Sequence, residues 1–183
     1  MNCWKTVNLA KQYGTQRLFI LSSLTMLFSF ILLYVPFTYL FDGATSLYDN
    51  HFLFFVLGAM LVYPLHKFLH LVPLMGMGEK VQKNVCLYYS CIPVIHIRVN
   101  EPIKKWLFLT ASLMPFVIIN PLLIFACYLF PHYVHYLTII LAFHVGMCVS
   151  DMISVKNVLF APKGSFIEEN DDGIEILIKN NAY

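Results

Sequence analysis

Charge is scarce in this sequence. Asp, Glu, Lys and Arg make up 12% of its 183 residues, about half the share a soluble domain carries. Hydrophobic residues fill 59% and the mean hydropathy is +0.70, so the chain has too little polar surface to cover itself in water and needs lipid as its solvent. There is no basic block and no stripe of aromatic and basic residues. The formal charge of +2 comes from scattered Lys and Arg, which excludes a nucleic-acid role. Cysteine pairing is missing too: Cys3, Cys86, Cys91, Cys127 and Cys148 are odd in number with no CxxC spacing, and they read as small apolar residues or free thiols, not as a disulfide framework. Seventeen mostly polar residues precede the first apolar run and no small-residue cleavage pattern follows it, so that run reads as an uncleaved span. Internal repeats and low-complexity segments are absent.

What is there is a set of long uncharged runs. A core of about 30 Å needs about 20 apolar residues at about 1.5 Å each. Residues 18–41 meet that without a charge, with Pro36 near the far end; residues 52–75 meet it but for His66, Lys67 and His70. Residues 107–130 follow with Pro115 and Pro121 inside, where a lost backbone donor predicts kinks. After a tight connection at Pro131 to Tyr133, residues 134–155 form the fourth run, uncharged until Asp151. The expected fold is therefore an all-α integral membrane protein with about four transmembrane helices in residues 1–155 and a small polar tail, 156–183.

Lys and Arg collect in cytoplasmic loops. Lys5, Lys11 and Arg17 precede the first run, whereas Asp42 and Asp49 lie between the first two with no basic residue. Lys80, Lys83, Arg98, Lys104 and Lys105 lie between the second and third, and Lys156, Lys163 and Lys179 follow the fourth. Four spans put all of these on one side and predict a multi-pass cell-membrane protein with both termini cytoplasmic. The run Val85 to Val99 is β-branched and aromatic around Pro93 and predicts a strand pair or an interfacial segment. Ser165 to Lys179 has the alternation of a β-hairpin around Asp171, Asp172 and Gly173.

His66 and His70 are four residues apart, so on a helix they project from one face one turn apart, a spacing that lets two imidazoles share a metal ion. Counted inward from Phe52 they lie about 21 and 27 Å along the axis, and Asp151, counted from Val134, about 25 Å. Three groups with metal-ligand chemistry thus fall at one depth near the cytoplasmic boundary, where an ionisable group is costly unless paired or coordinated. Two readings stand side by side. In one, the three bind a metal; in the other, Asp151 pairs with Lys67 or Lys156 and the histidines bond to carbonyls. His144 is a packed polar residue or a substitute ligand, and His96, His132 and His135 are weaker candidates.

His66, Lys67, Phe68, Leu69 and His70, the following Leu71, Val72 and Pro73, and the distal Ser150 and Asp151 resemble the bacterial membrane zincin peptidase family, which is similar to site-2-protease-like intramembrane metalloproteases. The resemblance runs from about Phe52 to the tail hairpin. It implies zinc as cofactor, His66, His70 and Asp151 as ligands, and a glutamate after the first histidine as general base for the attacking water. Here that position is Lys67, so HExxH becomes HKxxH, and an ammonium cannot take up a proton as the carboxylate does. Glu79 is the nearest carboxylate in sequence. Two functions follow from the resemblance: a zinc-binding metallopeptidase impaired at its base, or a non-catalytic relative that binds a membrane protein or peptide within the lipid bilayer. A transporter or channel subunit fits poorly, because the polar intramembrane groups gather at one end and line no path across.

Overall fold

From Thr15 to Phe41 the sequence carries one charge, Arg17, and folds as a single helix, α2, that keeps Pro36 within it. None of the side chains in its most apolar stretch is buried by protein. Two of its hydroxyls turn back onto their own helix, Thr25 Oγ1 donating to Leu21 O at 2.8 Å and Thr38 Oγ1 to Tyr34 O at 2.9 Å. This computed structural model describes residues 1–41, 46–88, 92–99, 101–170 and 173–178. Mostly helical, they include α1 (Leu9–Tyr13), α3 (Phe52–Leu71), α4 (Lys105–Leu129), α5 (Val134–Met147) and α6 (Val149–Leu159). By length and composition three helices are apolar enough to cross a membrane, or four if α5 and α6 are one broken span.

The fourth apolar run is not one helix as the sequence reading expects. The chain bends by 40° between α5 and α6 at Cys148. There ψ is −7°, far from the roughly −42° of a regular helix, and the Cys148 N–H is shared between His144 O and Gly146 O. The second run changes character as well: α3 stops at Leu71 and Val72–Lys80 tightens to a 3₁₀ helix, since Pro73 has no N–H to offer the α-helical ladder. Pro131–Tyr133 forms the tight turn expected before α5.

The chain divides into two compact units. One is Gln16–His66 with Pro115–Ser150, built from apolar helices. Its packing uses glycines where helices approach closely: a Cβ on Gly146 would stand 3.0 Å from Met26 Cβ and 3.1 Å from Ser22 O of α2, and one on Gly58 would stand 3.2 Å from Ile140 Cδ1 of α5. At the other end of α5 the rings of Phe55 and Tyr136 stack at 4.9 Å and those of Tyr48 and His132 at 4.3 Å.

The other unit is Met1–Thr15, Lys67–Met114 and Asp151–Tyr183. The expected tail hairpin is present as β5 (Phe166–Asn170) and β6 (Gly173–Ile178), its turn at 171–172 lying outside the described residues. It belongs to a larger antiparallel sheet of order β1-β6-β5-β4, to which the N-terminus adds β1 (Asn2–Val7) and the segment before α4 adds β4 (Ile103–Lys104). Val7, Ile103, Ile167 and Ile176, one from each strand, form a core with Leu74, Leu109, Ala111, Val155 and Val158. The Lys105 ammonium donates to Leu159 O at 2.9 Å and Ala161 O at 2.6 Å, meeting carbonyls that the end of α6 leaves open. The strand pair expected near Val85 to Val99 is a second sheet, β2 (Val81–Tyr88) against β3 (Ile92–Val99), with Pro93 opposite Leu87.

Candidate metal centre

The last turns of α3 carry His66 and His70 four residues apart, which places them on one helix face, one turn from each other. Each ring is held by its Nδ1. The Nδ1 of His70 lies 2.8 Å from the backbone oxygen of Ala111. A carbonyl only accepts, so Nδ1 carries the proton and Nε2 carries the lone pair. That Nε2 stands 3.4 Å from Asp151 Oδ2, both side chains being partly buried. A lone pair and a carboxylate oxygen repel at that distance unless a cation, a proton or a metal ion, is shared between them.

His66 is held by a chain of buried groups. Its Nδ1 is 3.2 Å from His144 Nε2, and His144 Nδ1 is 2.7 Å from Asn120 Oδ1. The amide oxygen of Asn120 accepts, so His144 donates from Nδ1 and accepts at Nε2; His66 in turn donates from Nδ1 and keeps its lone pair at Nε2. All three side chains are buried, His144 at 0% exposure, His66 at 3% and Asn120 at 7%. Cys148 Sγ, also buried, lies 3.7 Å from His144 Nε2. The two histidines of α3 are therefore fixed independently in the same tautomer, with Nε2 the donor atom. Partners of this kind on the far ring nitrogen are what orient histidine ligands in metal sites.

Asp151 is in the first turn of α6, because the bend at Cys148 starts a new helix just before it. Unpaired N–H groups and the helix dipole there attract negative charge. Asp151 is in ion-pair contact with His70. Lys67 is half-buried. The side chains of Glu79 and His96 lie outside the described residues. His132 donates from Nδ1 to Ser46 O at 2.9 Å, and His135 Nε2 is 3.2 Å from Asp49 Oδ1; both belong to the opposite end of α5 from His144, about 13 Å or more along its axis.

Sequence reasoning passed over Asn120 and read Cys148 as a small apolar residue or a free thiol; it is a free, buried thiol. A signal existed for both: an amide inside an uncharged run asks for a buried partner, and His144 and Cys148 share the four-residue spacing of His66 and His70.

A family model described as "Putative zincin peptidase" matches residues 59–166, a stretch that takes in His66, His70, Asn120, His144, Cys148 and Asp151. No curated protein and no solved structure matches the chain.

Proposed function

The chain belongs to the Putative zincin peptidase family, and we propose that it is a membrane-embedded zinc protein of that family, with His66, His70 and Asp151 as ligands and peptide hydrolysis impaired at Lys67. The observation that carries this reading is the His70–Asp151 pair: an imidazole whose Nδ1 proton is committed to Ala111 O turns its lone pair to a carboxylate 3.4 Å away. His66, one turn earlier on α3, has its own Nε2 lone pair set by His144 and Asn120. Two imidazoles and a carboxylate make a donor set that suits zinc with a coordination position left open, as in catalytic sites. When bound, zinc supplies polarisation of a carbonyl and acidification of water.

The general-base position is where this chain departs from peptidase chemistry. Lys67 follows His66, and a cationic ammonium neither accepts a proton nor passes one to a leaving amine. The reading that follows is a protein that keeps the metal and the fold and acts chiefly by binding a membrane protein or an extended peptide. The β2–β3 pair supports it, because a strand edge can take up an extended segment by main-chain hydrogen bonds. The distribution of Lys and Arg supports four spans with both termini in the cytoplasm.

The test is the metal content of the detergent-purified full-length protein beside a His66→Ala/His70→Ala variant. We expect zinc at about one equivalent in the parent, as for a three-ligand site, and loss of it in the variant with unchanged elution. A parent that retains no zinc after purification and reconstitution sinks the reading.

A further inference from the structure

His66, His144 and Cys148 offer a second set of donor atoms within the helical unit, distinct in composition from the first. His66 Nδ1 and His144 Nε2 are 3.2 Å apart and Cys148 Sγ is 3.7 Å from His144 Nε2, with the three donors all within 4.8 Å of one another. A tetrahedral ion with metal–nitrogen bonds of about 2.05 Å and a metal–sulfur bond of about 2.3 Å would set these edges near ~3.3 and ~3.6 Å. Two of the three edges thus match those of ligands around one ion, and the third lies within 4.8 Å. All three residues are buried, Cys148 at 2% exposure, and Asn120 fixes the His144 ring from behind through Nδ1, leaving Nε2 to point at the other two.

We propose that His66 Nδ1, His144 Nε2 and Cys148 Sγ form a second, buried site for a thiophilic metal ion, and that this site excludes the first by taking over His66. Binding exchanges protons in a defined way: the Cys148 thiol releases its proton to solvent, and the proton on His66 Nδ1 is replaced by one on Nε2. A neutral imidazole has one lone pair, so a His66 ligated through Nδ1 is lost to the His70–Asp151 side. Charge sets the preferred ion. One thiolate and two neutral imidazoles neutralise a monovalent ion but leave a dication with a net positive charge in a buried place, which is costly; thiolate donors also favour Cu(I) among soft ions. Cu(I) therefore binds here more tightly than zinc. The assignment stands on the second donor set itself; only the exclusion clause rests on the zinc ligands proposed above.

The experiment titrates the detergent-purified full-length protein with Cu(I) under anaerobic conditions and, separately, with zinc, and reads the bound ion by X-ray absorption. A sulfur scatterer at about 2.2–2.3 Å in the Cu(I) form is expected, together with protection of Cys148 from alkylation. The sulfur signal disappears in Cys148→Ser, both signals disappear in His144→Ala, and both persist in His70→Ala/Asp151→Asn. Cu(I) loading of the parent should also displace zinc from the first site. A shell of nitrogen and oxygen only, or a sulfur signal that survives Cys148→Ser, overturns the proposal. If the parent holds zinc that depends on His70 and Asp151 but shows no sulfur with either ion, the second site falls and the first stands. A parent that binds neither ion overturns both.

Discussion

At the scale of single residues the decisive group is Lys67. Proton transfer by a positioned base typically contributes about 100- to 10,000-fold, so the parent is expected to cleave membrane-associated peptides weakly at best, and Lys67→Glu to raise cleavage within that range while zinc content stays constant. The measurement is turnover of a peptide panel by both proteins, with and without chelator. Efficient, chelator-sensitive cleavage by the parent would show that another residue serves as base. A second prediction concerns Asn120. Replacing it by Leu removes the acceptor that holds the His144 Nδ1 proton, frees His144 to change tautomer, and so releases the hydrogen bond that sets His66. Loss of such an outer partner typically weakens metal binding about 10- to 100-fold. Competition of the variant against a chelator of known affinity reads it, and an unchanged affinity would mean that Asn120 does not orient His66. The pair His66 and His70 was legible in the sequence because helical spacing alone aligns them. Asn120 was not, and His144 was legible only as a packed polar residue or a substitute ligand, because nothing local tells which polar groups of separate apolar runs meet.

At the scale of elements, the bend at Cys148 does the most. It turns the fourth apolar run into two helices, places Asp151 in a first turn and leaves Cys148 beside His144. Hydropathy did not reveal it, since the apolar run passes through the bend as far as Val149 and no proline marks it. Helix existence was readable from the long uncharged runs, the tail hairpin from its alternation, and the β2–β3 pair, as one of two readings, from its β-branched and aromatic run. Strand β1 escaped because its partner β6 lies at the other end of the chain, and pairing of that range leaves no local pattern. The close approach of α5 to α2 gives a third prediction. A Cβ at Gly146 would meet Met26 Cβ at 3.0 Å and the Ser22 carbonyl at 3.1 Å, and a backbone oxygen cannot move aside as a flexible side chain does. Gly146→Val should then cost about 1–3 kcal/mol as overpacking of a fitted contact, read as a lowered unfolding midpoint in detergent. Gly164→Ala, where the backbone φ is +81° but nothing lies within 4 Å, serves as a control for strain without crowding. Equal effects would remove the packing argument.

At the scale of the whole molecule, charge and topology are one problem. Of the twelve Lys and Arg residues, all but Arg17 fall in the unit made of Met1–Thr15, Lys67–Met114 and Asp151–Tyr183. That unit also holds both chain ends and both sheets, whereas the apolar helical unit contains the segment around Asp49 and Asn50 that joins α2 to α3. In the four-span topology proposed above, the segments that carry the basic residues face the cytoplasm and the Asp49–Asn50 segment the opposite side. This requires an even number of crossings between the two ends, hence α5 and α6 acting as one broken span in addition to α2, α3 and α4. The fourth prediction follows: in a variant with Cys3, Cys86 and Cys91 replaced by Ser, a single cysteine introduced as Asn50→Cys is labelled by a membrane-impermeant reagent from outside intact cells. One introduced as Lys163→Cys is labelled only after the membrane is opened. Labelling of Asn50→Cys from the cytoplasmic side alone would invert the orientation, and labelling of both positions from outside would remove one crossing and with it the fourth span.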